Sequence, residues 1–153
     1  MDTAIELDFA DGKYRFALKL PGVSAIQRDC GGRNAEGLFV EKPIFLIYEE
    51  TRSSFYPDDS GRSVYIGGST ANIKDLHAII KHALIGGGGG VVGGEVVPMN
   101  GAKAQLLVED YCFPNRPIAQ DLDLAAKVME VSVNGISLKK KAETPGSKAA
   151  VNV

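Results

Sequence analysis

Apolar and polar side chains alternate along the first twenty residues. In "AIELDFA", Ile5, Leu7 and Phe9 fall on one side and Glu6 and Asp8 on the other; in "KYRFALKL", Tyr14, Phe16, Leu18 and Leu20 fall together. A period of two marks a half-buried strand. Asp11-Gly12 between the two runs is a two-residue turn signal. With that loop, Phe9 faces Tyr14, Leu7 faces Phe16 and Ile5 faces Leu18, while Asp8 meets Arg15 on the other side. An isolated hairpin is marginal in water, so its apolar face is expected to lie on helices.

Beyond the hairpin the period lengthens. Pro21 opens a short helix with an apolar stripe of Val23, Ala25, Ile26 and Cys30, and Gly31-Gly32 closes it. "AEGLFVEKPIFLIYEETR" is apolar nearly throughout, and Pro43 disfavours one continuous helix. It reads as a short turn or helix followed by a helix or strand over Ile44–Glu50. "SSFYPDDSGRSVYIGGST" reads as a loop, with "SVYI" as a short strand within it. "NIKDLHAIIKHALIG" is the clearest helix. Ile73, Leu76, Ile80, Ala83 and Leu84 share a face, with Ile79 beside them, and Asn72 is the expected N-cap. Asn100 caps a further helix carrying Ala104, Leu107, Val108 and Tyr111. Pro117 starts a last one, lined by Ile118, Leu122, Ala125, Val128 and Met129 and ended by Asn134-Gly135. The expected fold is therefore α+β, an N-terminal β-hairpin packed on a small bundle of four or five helices. Residues 1–135 form one domain with a Gly-rich linker over 86–98. Residues 136–153 form a basic tail too poor in bulky groups to order itself.

Composition narrows the function. The 153 residues carry a net charge of −2, so no global basic field points to nucleic acid. The N-terminus carries acids early and lacks the apolar run of a signal peptide, and no apolar stretch approaches the roughly 18 residues of a membrane span. A cytoplasmic setting without membrane or nucleic-acid partners is expected. Cys30 and Cys112 fit neither a zinc spacing nor a CxxC motif and are expected to be reduced and partly buried.

The candidate chemical motifs are sparse. Gly88, Gly90 and Gly93 satisfy GxGxxG, but a helix precedes them where a dinucleotide fingerprint needs a strand, and no Lys-Ser/Thr follows as in a P-loop. The run from Gly86 through Gly87, Gly88 and Gly89 to Gly90 holds more glycines than a helix cap needs, and reads as a hinge. His77 and His82 are five apart, about 140° around a helix, and are expected in solvent. Asp58 and Asp59 before Gly61 lack the later ligands of a calcium loop and read as a solvated turn. "LKKK" at Leu138–Lys141 reads as a solubilising tail. No catalytic constellation, metal site or cofactor site emerges.

"IELDFADGKYRFALKL" followed by "GVSAIQRDCG", then "IKDLHAIIKHALIGGGG", "AKAQLLVEDYC" and "PIAQDLDLAAKVMEVSVNG" keep a recognisable order. Together they resemble the gene transfer agent family of tail proteins, found in tailed-phage morphogenesis modules and classed with the tail assembly chaperones. The resemblance spans Ile5 to Gly135, is sharpest at "HALIGGGG", and departs through extra residues between Thr51 and Gly68 and a longer "VVGGEVV". It implies a non-enzymatic protein that coats the apolar tape-measure protein until tail tube subunits polymerise around it. The setting would be the host cytoplasm during virion assembly, with several copies of the chain acting together. The alternative is a structural tail protein, tube-associated or of the completion type, retained in the virion. A joint at Gly86–Gly90 would let one amphipathic helix swing over a ligand helix. Partner contacts are then expected at Ile80, Leu84, Ile85, Tyr111 and Phe113.

Overall fold

The computed structural model describes residues 1–136. The expected disordered tail and its lysines, Lys139 to Lys141, lie outside the described residues, apart from Ile136, which pairs with Asp2 in an isolated β-bridge.

The first two strands, β1 (Ala4–Phe9) and β2 (Gly12–Ala17), form the hairpin that the alternation predicts, with the expected faces within the strands; Leu20, expected on the apolar face, lies beyond β2 and is 78% exposed. Its register differs. Phe9 faces Gly12, Leu7 faces Tyr14 and Ile5 faces Phe16, so Ala10 and Asp11 make the loop and Glu6, not Asp8, meets Arg15. Ala10 takes the positive φ of 55°. Gly12 is held in the strand by a close approach. A Cβ there would stand 2.3 Å from the Val91 carbonyl oxygen of a neighbouring strand.

Helix α1 (Leu20–Asp29) follows, with Pro21 in its first turn and Ala25 and Ile26 buried. A minimal hairpin of β3 (Gly32–Arg33) and β4 (Phe39–Val40) then leads through Pro43 into α2 (Ile44–Thr51). Pro43 stands just before the first helical residue, where a missing N–H costs nothing. The stretch expected as a loop forms a third hairpin, β5 (Ser54–Pro57) and β6 (Ser63–Gly67). Asp58 shapes its turn. It accepts hydrogen bonds from the Ser60 hydroxyl and from the backbone N–H groups of Ser60 and Arg62. These bonds, led by the Ser60 hydroxyl, hold its carboxyl below the usual carboxylate range.

Helix α3 (Ile73–Gly87) is the centre of the molecule. It packs on β2 and against α1, α4 and α5. The Asn72 side chain accepts from the Asp75 N–H as the expected N-cap, and Leu76, Ile79, Ile80, Ala83 and Leu84 are buried. The glycine run is not a linker. Gly86 and Gly87 form the last turn of α3, and Gly88 caps it in the left-handed region at φ 83°. Gly89 and Gly90 then enter β7 (Gly89–Val92), which pairs with β2 on one side and with β8 (Glu95–Pro98) on the other. The result is one antiparallel sheet in the order β1-β2-β7-β8. Gly93 and Gly94, both at positive φ, make the two-residue loop between β7 and β8.

The expected hinge is corrected by what surrounds these glycines. A Cβ on Gly86 would lie 2.0 Å from the Ala17 oxygen, and one on Gly87 1.7 Å from the Arg15 oxygen. A Cβ on Gly90 would lie 2.4 Å from the Lys13 oxygen. The glycines are present because helix end and strand backbones touch, not because the chain is loose. Helices α4 (Gly101–Tyr111), capped by the Asn100 side chain, and α5 (Ile118–Asn134) complete the fold as expected. The Phe113–Pro114 peptide between them is cis.

Candidate functional site

The five expected contact residues do not form one surface. Ile80 and Leu84 are fully buried in the core and cannot touch a partner, which corrects that expectation: they belong to the stripe that seats α3 on the sheet and helices. Ile85, Tyr111 and Phe113 are 37–38% exposed and lie on three different elements. Tyr111 stacks edge-on with Phe9.

The exposed apolar side chains concentrate elsewhere. Between Leu38 and Leu46, five large apolar residues face water: Leu38, Phe39 and Val40 around β4, and Phe45 and Leu46 on α2, at 47–68% exposure. Scattered exposed apolar residues are ordinary; five within nine positions are not. The stretch is anchored at its base. The Lys42 N–H donates to the Gln27 carbonyl oxygen, and the Ile44 N–H to the Gln27 side-chain oxygen. Gly31 allows β4 to lie against the end of α1, since a Cβ there would stand 2.6 Å from the Val40 oxygen. Buried Ile47 anchors α2. The apolar ends are thus presented outward on a fixed frame. The sequence signal was present, because the segment reads apolar nearly throughout, but periodicity alone does not separate core from surface in so short a run.

Beneath this stretch lies a charged cluster. Lys42 Nζ donates to Asp75 Oδ2 at 2.7 Å and to Glu50 Oε1 at 2.9 Å, with the Asp75 side chain 3% exposed. Burial pulls the Lys42 ammonium down, but the hydrogen bonds and charges of Asp75 and Glu50 outweigh it and hold its pKa above the usual value. The cluster ties β4's exit to α2 and to the first turn of α3, where a carboxylate also suits the helix dipole.

The histidines are not free in solvent. His77 Nε2 lies 3.2 Å from Asp121 Oδ2, and His82 Nε2 lies 2.9 Å from Asp29 Oδ2. Their spacing around α3 turns one toward α5 and the other toward α1. Asp121 is fully buried. Its Oδ2 also accepts from the Phe113 N–H, and its Oδ1 accepts from Arg116 Nε at 2.6 Å. The Cys112 sulfur joins this group: it, a ring nitrogen of His77 and an Asp121 oxygen lie within 4.8 Å of one another. A cysteine, a histidine and an aspartate suggest a nucleophilic triad, yet the thiol is unsuited to that role. Cys112 is buried, and desolvation, with the Asp121 charge adding, pushes its pKa up to about 12, whereas a reactive thiolate is accessible and depressed. Cys30 is likewise buried and free, with its pKa raised to about 12 by burial first and Asp75 second. His77 lines a groove of about 660 Å³ between α3 and α4, together with Lys81, Glu109 and Phe113. Among the described residues, no helix is long and apolar enough to cross a membrane. No protein-family model, curated protein or solved structure matches this chain.

Proposed function

We propose that this chain is a non-enzymatic holding protein of tailed-phage assembly. It is a tail assembly chaperone that binds the tape-measure protein in the host cytoplasm until tail tube subunits take over. The observation that carries this reading is the outward-facing apolar stretch Leu38–Leu46 on its anchored frame. A long apolar client needs water-exposed apolar side chains to cover it, and aromatic residues at the centre of such a surface contribute most of the binding energy. Phe39 and Phe45 are the aromatic members here. The order of elements resembling the gene transfer agent family supplies the client. The buried, unreactive thiols support the non-enzymatic part of the reading.

Co-expression with the neighbouring tape-measure protein, followed by pull-down, tests the proposal. The wild-type chain should retain the client in the soluble fraction. Phe39→Ser with Phe45→Ser should weaken the complex more than tenfold, since each phenyl side chain contributes roughly 1.5–3 kcal/mol when buried. A client that stays insoluble and unbound beside well-expressed protein refutes the proposal. Stoichiometric presence of the chain in purified particles would instead make it a structural tail component.

A further inference from the structure

We infer that His77, Cys112 and Asp121 form a binding site for a tetrahedral divalent transition-metal ion, Zn²⁺ by its chemistry, reached from the α3–α4 groove that His77 lines. Three helical elements deliver the ligands: His77 from the middle of α3, Cys112 from the C-cap of α4 and Asp121 from the first turn of α5. Their ligand atoms, one nitrogen, one sulfur and one oxygen, lie within 4.8 Å of one another. Imidazole with thiolate is the donor set that Zn²⁺ selects over calcium or magnesium.

One edge already suits a small ion, and the sulfur, within 4.8 Å of the other two atoms, closes to the roughly 3.6 Å edge of such a site on binding. With metal–nitrogen and metal–oxygen bonds of about 2.0–2.1 Å at a tetrahedral angle, the N···O edge is about 3.3 Å. His77 Nε2 and Asp121 Oδ2 are 3.2 Å apart. The carboxylate is already oriented, because Arg116 Nε holds Oδ1 and the Phe113 N–H fixes Oδ2. Such outer partners are what metal-binding carboxylates require. On binding, the Cys112 thiol passes its proton to solvent. The thiolate and the Asp121 carboxylate then balance the two charges of the ion. The Arg116 guanidinium, bonded to Asp121 Oδ1 at 2.6 Å and hydrogen-bonded to Cys112, is an outer partner of both anionic ligands. His77, whose side chain is 26% exposed on the groove, marks the entry path. The sequence concealed the site because its ligands are separated by long, unequal intervals that match no metal motif.

The test uses Co²⁺ as a spectroscopic stand-in, titrated under reducing conditions into chelator-treated full-length protein. A stoichiometric rise of a near-ultraviolet thiolate-to-cobalt band and of intense tetrahedral visible bands, both bleached by Zn²⁺, is expected. Cys112→Ser should remove the near-ultraviolet band. His77→Ala, at a partly exposed position that does not threaten the core, should abolish the tetrahedral spectrum while the circular dichroism stays unchanged. Arg116→Gln should weaken binding about 10–100-fold. Cys30→Ser should bind as the parent does. Absence of the bands, their survival in His77→Ala, or their loss in Cys30→Ser overturns the assignment.

Discussion

Gly87→Ala separates two readings of the glycine run that predict opposite signs. In a loose linker, or at a free helix end, the change is neutral or stabilising, because alanine restricts the unfolded chain and favours helix by about 1 kcal/mol. In this structure the new methyl group would stand 1.7 Å from the Arg15 oxygen and 2.5 Å from the Arg15 carbonyl carbon. Both are backbone atoms in the centre of the sheet and cannot rotate away. Opening the 1.7 Å gap to the 3.0 Å minimum for such contacts displaces the end of α3 from β2 by about 1.3 Å. These two elements bring Tyr14 and Phe16 into one core with Ala83 and Leu84, all essentially inaccessible to water. A radial gap of even 0.5–1 Å forfeits about a quarter to a half of each dispersion contact. Overpacking at buried sites typically costs about 1–3 kcal/mol and more where backbone must move. With the backbone forced to move, the cost lies at the upper end of that range, and after subtracting the propensity gain a net destabilisation of about 2 kcal/mol is expected. Urea unfolding followed by circular dichroism should then show a midpoint about 1 M lower than the parent, at a slope of about 2 kcal/mol per M. Gly101→Ala is the control. It lies in the first turn of α4 with nothing within 4 Å of the added Cβ, and should be neutral or slightly stabilising. If Gly87→Ala matched Gly101→Ala, the close packing of α3 on β2 would be wrong and the linker reading would return.

Lys42→Met should cost about 3–5 kcal/mol in the same assay, because it strands the buried Asp75 carboxylate. Combining it with Asp75→Asn should recover a large part of that loss, and simple additivity of the two changes would disprove the pairing. Ala10→Gly relieves the positive φ of the β1–β2 loop and should stabilise by about 0.5–1 kcal/mol; a loss of stability would argue for the Asp11-Gly12 register instead. Cys30, raised from 9.0 to about 12 by burial, should react with thiol reagents at pH 8 about a thousandfold more slowly in the native protein than in urea. Its folded pKa is raised, so its contribution to stability is complete below pH 9 and is lost as the pH rises from 9 toward 12. A native rate close to the unfolded one would refute the buried placement.

Local pattern determined a good deal of this protein. Alternation in the first twenty residues fixes the two faces of the first hairpin, since side chains of a strand point to opposite sides whatever it pairs with. The apolar stripe and cap of α3, and the Pro117 start and Gly135 end of α5, are equally local, because helix periodicity and end-capping involve residues within a few positions. Tertiary structure decided the rest. Which residue pair forms the first turn depended on β7, whose backbone needs Gly12 in the strand. Gly86, Gly87, Gly89 and Gly90 have no side chains to report what they touch, so only the packed sheet shows that they are contact points around the Gly88 cap and not a joint. His77, Cys112 and Asp121 meet because α3, α4 and α5 converge, and no spacing in the chain encodes a convergence of three helices. Core and surface likewise separate only on folding: Ile80 and Leu84 are buried while Phe39 and Phe45 face water, because burial depends on which elements cover a side chain and not on its own hydrophobicity.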